Sequence, residues 1–306
     1  MVTQQLIALT LFPASLIGVI CNWLVVIATW RSRSLSHSFS LLTANQAVFN
    51  GLHSTFYFFY ITPMIIFQSE FLITNSYRIL FIMITCYDAS IHAHFLITIN
   101  RFSAVFLPLI YKKLYSSKST KILITVSFLI SAATLTYFFQ IQPCIIYYDP
   151  DLWGYTYNDH QICVEFGYYG DLGKLIVFSV FNVTVDLITV WKVRRTRKLI
   201  RRGQPPVAAV QKKEVDFLKQ SLGQSFYSVI TAPILYIIPF FNDSRPVMFL
   251  CNVLFWCLLH SLDGVLTLLF NSEIRKALGS AKQRKKSQVT VSSVMVTDRR
   301  KSSVKI

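Results

Sequence analysis

Residues 76–121 read SYRILFIMIT CYDASIHAHF LITINRFSAV FLPLIYKKLY SSKSTK. From Ser76 to Asn100 the only Lys, Arg, Asp or Glu residues are Arg78 and Asp88. A helix needs roughly 20 apolar residues to cross a hydrocarbon core, and this run is long enough. It stops on Arg101, and Lys112, Lys113, Lys118 and Lys121 follow with no acid among them. An apolar span that ends on a basic loop is the pattern of a membrane helix whose end faces the cytosol.

The pattern recurs along the chain. Its 306 residues are 53% hydrophobic and 14% charged, with a mean hydropathy of +0.48. Soluble domains carry about a quarter charged residues. Seven segments are predicted to cross the membrane, near 6–30, 39–67, 76–101, 121–142, 171–191, 219–241 and 247–270. The fold class is therefore an all-α membrane protein, a seven-transmembrane helix bundle occupying residues 1–276. The second segment is over-long, so a tilt, a kink near Pro63 or an extension beyond the bilayer is expected. Trp23, Trp30, Tyr60 and Trp191 lie near segment ends, which suits interfacial belts. The first segment lacks the basic start of a secretory signal peptide, and its apolar run is about twice the usual length.

The net charge of +16 by itself points to nucleic acid, but the basic residues are not spread over a soluble face. Twenty-seven of the thirty Lys and Arg residues fall in the loops after segments one, three and five and in the C-terminal stretch. Only Arg78, Lys174 and Arg245 fall on the other side. The positive-inside rule then puts the N-terminus outside and the C-terminus in the cytosol, and excludes nucleic acid as the partner. Few residues precede the first segment, so a ligand is expected to enter the helix bundle or touch the loops. The outer loop near 143–170 is the longest and is rich in Tyr, Asp and Trp. The inner loop near 192–214 holds the breaker Gly203-Gln204-Pro205-Pro206, and Trp191–Arg202 is expected to extend helix five inward. The basic, Ser-rich tail 277–306 is expected to be disordered. No internal repeat is visible, which removes sequence support for an inverted-repeat transporter.

Of six cysteines, Cys21, Cys86, Cys251 and Cys257 fall within segments and read as small apolar packers. Cys144 and Cys163 share the oxidising outer side, and a disulfide between them is expected.

Arg101 has two readings. It is a topology anchor that snorkels to the interface, or a switch that pairs within the bundle and meets a cytosolic partner when the helices part. Asn100-Arg101-Phe102 is followed seven residues on by Pro108-Leu109-Ile110-Tyr111. The arrangement resembles the rhodopsin-like G protein-coupled receptors, where helix three ends in Asp-Arg-Tyr before a Pro-Leu-x-Tyr loop. Asn22 resembles that family's polar residue of helix one. Asn45 falls where it has an Asp, and Asp263-Gly264-Val265-Leu266-Thr267 stands for its Asn-Pro-x-x-Tyr. Asn271-Ser272-Glu273-Ile274-Arg275-Lys276 looks like the start of a short helix on the inner membrane face. A narrower resemblance is to the nematode serpentine chemoreceptors of class x. It spans about 10–276 and rests on Cys86-Tyr87-Asp88, Asn100-Arg101-Phe102, Pro108-Leu109-Ile110-Tyr111-Lys112-Lys113, Pro143-Cys144 with Cys163, Leu262-Asp263-Gly264 and Phe270-Asn271-Ser272-Glu273-Ile274-Arg275. The resemblance implies chemosensation in sensory neurons, through a small-molecule ligand and a heterotrimeric G protein, at the plasma membrane with sensory cilia as the narrower location. No enzyme activity, cofactor or metal is implied.

Departures from the rhodopsin-like pattern matter. A rhodopsin-like receptor has a Cys 25 residues before Arg101; Ser76 stands there, so the covalent tether from loop two to helix three is absent. Ile230-Thr231-Ala232-Pro233 replaces Cys-Trp-x-Pro in helix six. No acid adjoins Arg101, and Glu214 and Asp216 are the candidate partners.

Asp88, Asp186 and Asp263 lie within segments, where an isolated charge costs several kcal/mol and so marks function by default. Asp263 is expected to gather Asn22 and Asn45 into a polar cluster, with Asp88 in a hydrogen-bonding role. Asp186 is expected to find a partner in the inner half of helices three or six. No acid stands high in helix three as a counter-ion for an amine. Phe56, Tyr57, Tyr60, Phe81, Tyr137, Tyr236, Phe240 and Trp256 are candidate pocket residues for a small, weakly polar ligand. His53, His92 and His94 lack metal spacing and read as packing or hydrogen-bonding groups. The inner basic loops suit anionic membrane lipids. Ser287, Ser302 and Ser303 are kinase candidates and Asn242 a glycosylation candidate. The rival classes are a ligand-gated cation channel and a membrane transporter.

Overall fold

The computed structural model describes residues 2–31, 38–201 and 212–279, with the backbone alone at 2, 199–201 and 212–217. Arg33, the 203–206 breaker, the side chains of Glu214 and Asp216 and the tail serines lie outside the described residues.

Helix one is Leu11–Arg31, preceded by a short helix Val2–Ala8. Helix two spans 38–67 and helix three is Ser76–Phe106. Helix four is Ser117–Ile141, helix five 161–201, helix six Lys212–Phe241 and helix seven Arg245–Phe270. A last helical stretch occupies 272–279. Its Ile274 is fully buried against Val25, Ala28 and Ala47 of helices one and two.

Length and apolarity alone qualify six of the described helices to cross a membrane, and helix two is the seventh member of the bundle. Helix two is too polar to qualify because it is enclosed by protein. Ser40, Thr43, Gln46, Asn50, His53 and Ser54 are all buried, so they meet other helices and not lipid. The peripheral helices instead expose Leu129, Ile130, Val177, Val180, Ile230 and Ile237, the apolar belt a bilayer needs.

Several helix boundaries differ from expectation; helix six, for one, starts at Lys212 and not near 219. Helix three runs five residues past Arg101 and ends at Leu107, because a residue before proline is driven out of the α region. Helix five begins at Gln161, ten residues before the expected start. The Gly-rich stretch Phe166–Gly173, which reads as loop, is a wide π-helical turn. A Cβ on Gly170 would stand 2.6 Å from the Phe166 ring, so only glycine lets this turn close. A second π turn, Tyr57–Ile61, sits where a kink near Pro63 is expected. Pro63 cannot donate a backbone bond, and Thr62 N–H reaches back to the Tyr57 carbonyl to reset the register.

Between helices four and five, strands β1 (Ile146–Asp149) and β2 (Gly154–Tyr157) form an antiparallel hairpin. Cys144 and Cys163 are disulfide-bonded with Cα atoms 5.1 Å apart, closing the hairpin's base. The hairpin sinks into one end of the bundle. Tyr148 is buried and takes a 2.6 Å bond from the Gln4 amide, and its own N–H donates to Ser76 Oγ at 3.1 Å. Around it lies the main core, with Tyr57, Met64, Leu80, Met83, Phe249 and Trp256. All four described π turns lie toward this hairpin end.

Close helix approach is made by small residues. A Cβ on Gly18 would meet Ser261 Oγ and Ser54 Oγ at 2.3 and 2.4 Å. A Cβ on Gly264 would stand 2.9 Å from the backbone nitrogen of Asn22. Helices one, two and seven thus touch almost backbone to backbone.

Candidate functional site

At the hairpin end a cavity of about 230 Å³ lies beneath β1 and β2, among helices three, five, six and seven. Of the candidate pocket residues, Tyr236 and Trp256 line it. The others do not. Tyr57 is buried one layer away, and its hydroxyl donates to the Val253 carbonyl at 2.9 Å, tying helix two to helix seven. Tyr60 donates to the Leu72 carbonyl, Phe56 packs into the core, and Phe81 packs on Phe139. Tyr137 is half-exposed, and Phe240, 81% exposed, points away from the bundle. Aromatic residues on both faces of such helices look alike in sequence.

The lining that sequence reading missed is Ile84, Ile146, Tyr155, Tyr157, Asp171, Leu235, Pro239 and Asn252. The signal was present: the Tyr-rich loop was visible, and folding it inward delivers Tyr155 and Tyr157. Burial pushes both of their hydroxyls well up, with the Asp171 charge adding to the rise at Tyr157, so they remain neutral donors. Tyr157 donates to Asp171 Oδ2 at 2.9 Å. Tyr87 and Tyr236 interact with the same carboxylate through their hydroxyls.

Next to this cavity, Lys174 at the head of helix five forms an ion pair with Asp88 of helix three. His92 stands 3.2 Å from the same carboxylate and also meets Ser131 of helix four. Asp88 therefore belongs to a helix three–four–five contact and not to the Asp263 cluster. The expected hydrogen-bonding role is filled by an ion pair, because Lys174 turns inward.

At mid-bundle Asp263 Oδ2 accepts from Gln46 Nε2 at 3.1 Å and Asn50 Nδ2 at 3.0 Å. Asn50 Oδ1 in turn accepts from Ser90 at 2.7 Å and meets His260 Nδ1 at 2.7 Å. Asn22 joins through its amide, which donates to the Gly18 and His260 carbonyls. Asn45 does not join. Its half-buried side chain makes no bond to Asp263, because a helix turns about 100° per residue and Gln46 and Asn50, four apart, own the inward face.

Lower down, Thr267 of helix seven accepts from Gln220 and Gln224 of helix six, and Asn271 donates to Gln220. Asp186 of helix five is fully buried and takes 2.8 Å bonds from Ser221 and Ser225 of helix six. Arg101 interacts electrostatically with Asp186, and its guanidinium lies 3.1 Å over the Phe39 ring. Asn100 donates to Ser38 Oγ at 3.1 Å, and Tyr111 Oη meets Ser38 Oγ at 2.9 Å and Asn100 Oδ1 at 3.4 Å. The Asn that replaces an acid is thus held by the Tyr of its own following loop. Phe102 stacks on Phe106 at 4.4 Å, and Pro108 opens the exposed helix Pro108–Leu114. Asn242 is exposed in the turn between helices six and seven. Among the described residues no three His, Cys, Asp or Glu side chains converge as a metal site.

Seven helices, with a hairpin-covered cavity at one end and a buried Arg on helix three at the other, make up a seven-transmembrane bundle. Residues 12–271 match the family profile described as serpentine type 7TM GPCR chemoreceptor Srx, and the chain belongs to that family. It is similar to serpentine receptor class X 45 of Caenorhabditis elegans, 26% identical over 294 residues, covering 90% of this chain and 81% of that protein. It is also similar to serpentine receptor class X-43 of the same organism, 26% identical over 195 residues, 60% of this chain and 58% of that one.

Proposed function

We propose that this receptor takes a small molecule from outside the cell into the cavity beneath the hairpin and signals through a heterotrimeric G protein at the Arg101 end. The observation that carries the reading is that helices which border the cavity are also tied to one another by polar clusters nearer Arg101. The cavity borders helices five, six and seven, and the same three helices are tied by Asp186, Ser221, Ser225, Gln220 and Thr267 nearer Arg101. A ligand that alters helix spacing at one end then biases the other, as bistable helix packing allows.

In this reading Arg101, Asn100 and Tyr111 form the G protein switch, with Asp186 in place of the missing neighbouring acid. Asn22, Asn50 and Asp263 form the pivot. The N-terminus is outside and the tail 277–306 cytosolic, at the plasma membrane or the cilia of sensory neurons. The basic stretch Trp191–Arg201 meets anionic lipid or the G protein, and Asn242 is open to glycosylation. Nucleotide exchange belongs to the G protein, so the chain has no catalytic residue.

The test is G protein dissociation in cells expressing the chain, challenged with a broad odorant and metabolite panel, with Arg101→Ala alongside and surface expression measured. A ligand-dependent signal lost in the variant supports the reading. Ligand-evoked ion current without dissociation would overturn it in favour of a channel.

A further inference from the structure

Asp171 is the one carboxylate that lines the cavity, and it is 8% exposed. Its Oδ2 accepts from Tyr157, and the Tyr87 and Tyr236 hydroxyls also interact with the carboxylate, yet Oδ1 is buried with no partner within hydrogen-bond geometry, and all three neighbours are neutral hydroxyls that bring no charge. Among the described residues no Lys, Arg or His forms an ion pair with it. The nearest candidate in sequence, Lys174, is one helical turn on and is already paired with Asp88. Arg245 is paired with Asp151 at the surface. A buried carboxylate with no counter-charge is costly to keep. The residues around it are not acids but electron-rich rings: Tyr155, Tyr157, Tyr236 and Trp256 line the same cavity, with Ile84 and Leu235 as its apolar wall.

Resting on the receptor reading above, we infer that the ligand class is a small organic cation, a protonated amine. Its charge sits on Asp171 among the tyrosine and tryptophan rings, and its hydrocarbon part lies against Ile84 and Leu235. Three physical terms agree. The ammonium supplies the charge that Asp171 lacks. Its N–H groups fill the free acceptor on Oδ1 as charge-assisted hydrogen bonds. Aromatic faces attract a cation once water is displaced, and amine-binding cages use this interaction. The cavity is smaller than the roughly 300–1,000 Å³ of pockets that bury drug-sized ligands, so the amine is small. The counter-ion comes from the head of helix five, which is why no acid is needed in the outer part of helix three.

The test is thermal unfolding of the full chain, purified in detergent, with a series of small alkyl and aralkyl amines and the alcohols of the same carbon skeletons. The expected result is that at least one amine raises the unfolding midpoint in a concentration-dependent way and its alcohol does not. Asp171→Asn keeps an oxygen for Tyr157 to donate to and should weaken the amine by at least about tenfold, the loss of one charge-assisted bond. Asp171→Glu keeps the charge and should keep the preference for amine over alcohol. Equal stabilisation by alcohol and amine, undiminished binding in Asp171→Asn, or no stabilisation by any amine would each overturn the inference. The amine–alcohol comparison needs no variant, so misfolding of Asp171→Asn does not rescue the idea. Amine binding with no G protein dissociation upholds the inference and counts against the receptor mechanism. A neutral agonist acting equally on Asp171→Asn overturns the inference and leaves that mechanism standing.

Discussion

Asp186→Ala should raise signalling in the absence of ligand. The side chain takes two 2.8 Å bonds, from Ser221 and Ser225, and interacts with Arg101. It therefore ties helices three, five and six at the Arg101 end. Hydrogen bonds to a charged group are worth ~1.5–3 kcal/mol each, so the two serine bonds together hold at least ~3 kcal/mol. The freed serine hydroxyls can turn to carbonyls of their own helix, so their removal leaves no large desolvation penalty. If helix six leaves Asp186 on activation, all of that term favours the resting state. At ~3 kcal/mol its loss multiplies the active-to-resting ratio by ~150-fold, enough to take a minor state of ~0.1% to over a tenth of the receptors. The assay is ligand-independent G protein dissociation, normalised to receptor at the cell surface. Asp186→Ala also strips Arg101 of its acid and can lower expression, so Ser221→Ala with Ser225→Ala runs beside it. That double variant leaves Arg101 and Asp186 together and should raise basal signalling less. Asp186→Asn, whose amide oxygen still accepts, should fall between. Well-expressed Asp186→Ala and serine variants with unchanged basal signalling would refute the assignment of this cluster as a lock.

Gly264→Ala places a methyl 2.9 Å from the Asn22 backbone nitrogen, which cannot swing aside as a side chain can. Helices one and seven must part, at ~1–3 kcal/mol, and the detergent unfolding midpoint should drop. Ser76→Ala leaves the buried Tyr148 N–H without its acceptor, a loss of ~1–3 kcal/mol. Hydrogen exchange at Tyr148 should accelerate while helix three stays protected; unchanged protection there would show the bond to be dispensable. Cys163→Ser opens the bridge at a sequence separation of 19, which in the chain-entropy model is worth about 3 kcal/mol. The hairpin should become sensitive to protease on intact cells, and full resistance would mean that packing alone holds it.

The seven-helix bundle was legible because lipid demands long apolar runs, and the charge pattern separates its two ends. Helix two was found by the same reading although it is the least apolar of the seven, since its polar residues are spread over an otherwise hydrophobic run. What sequence could not resolve was facing. Asn45 and Gln46 are adjacent, and only the bundle's geometry decides that Gln46 and Asn50 reach Asp263. Phe240 and Tyr236 share one helix, and only Tyr236 turns to the cavity. The start of helix five was misplaced because the Gly-rich Phe166–Gly173 carries the composition of a loop while forming a π turn. That misplacement hid the most informative residue of the cavity. With a helix starting near 171, Asp171 stands at the outer rim; with helix five running from Gln161 it lies ten residues in and lines the cavity.

The hairpin's suspension bears on how a ligand enters. A rhodopsin-like tether would join this loop to helix three by a disulfide, and such a link fixes the loop for the lifetime of the receptor. Here the covalent bond is internal, between Cys144 and Cys163, so it shapes the hairpin without fastening it to helix three. The attachments to the bundle include single hydrogen bonds: Tyr148 N–H to Ser76, Gln4 to the Tyr148 hydroxyl, and Tyr157 to Asp171. Each is worth on the order of 1 kcal/mol net, more where a charge takes part, so they can open and reclose thermally. One of the three ends on Asp171 itself. The cation inferred above would sit on Oδ1 of the carboxylate that Tyr157 holds through Oδ2, so ligand and hairpin would share one group of helix five. Occupancy and the seating of the hairpin then meet at the head of helix five, where Lys174 grips Asp88 one turn below.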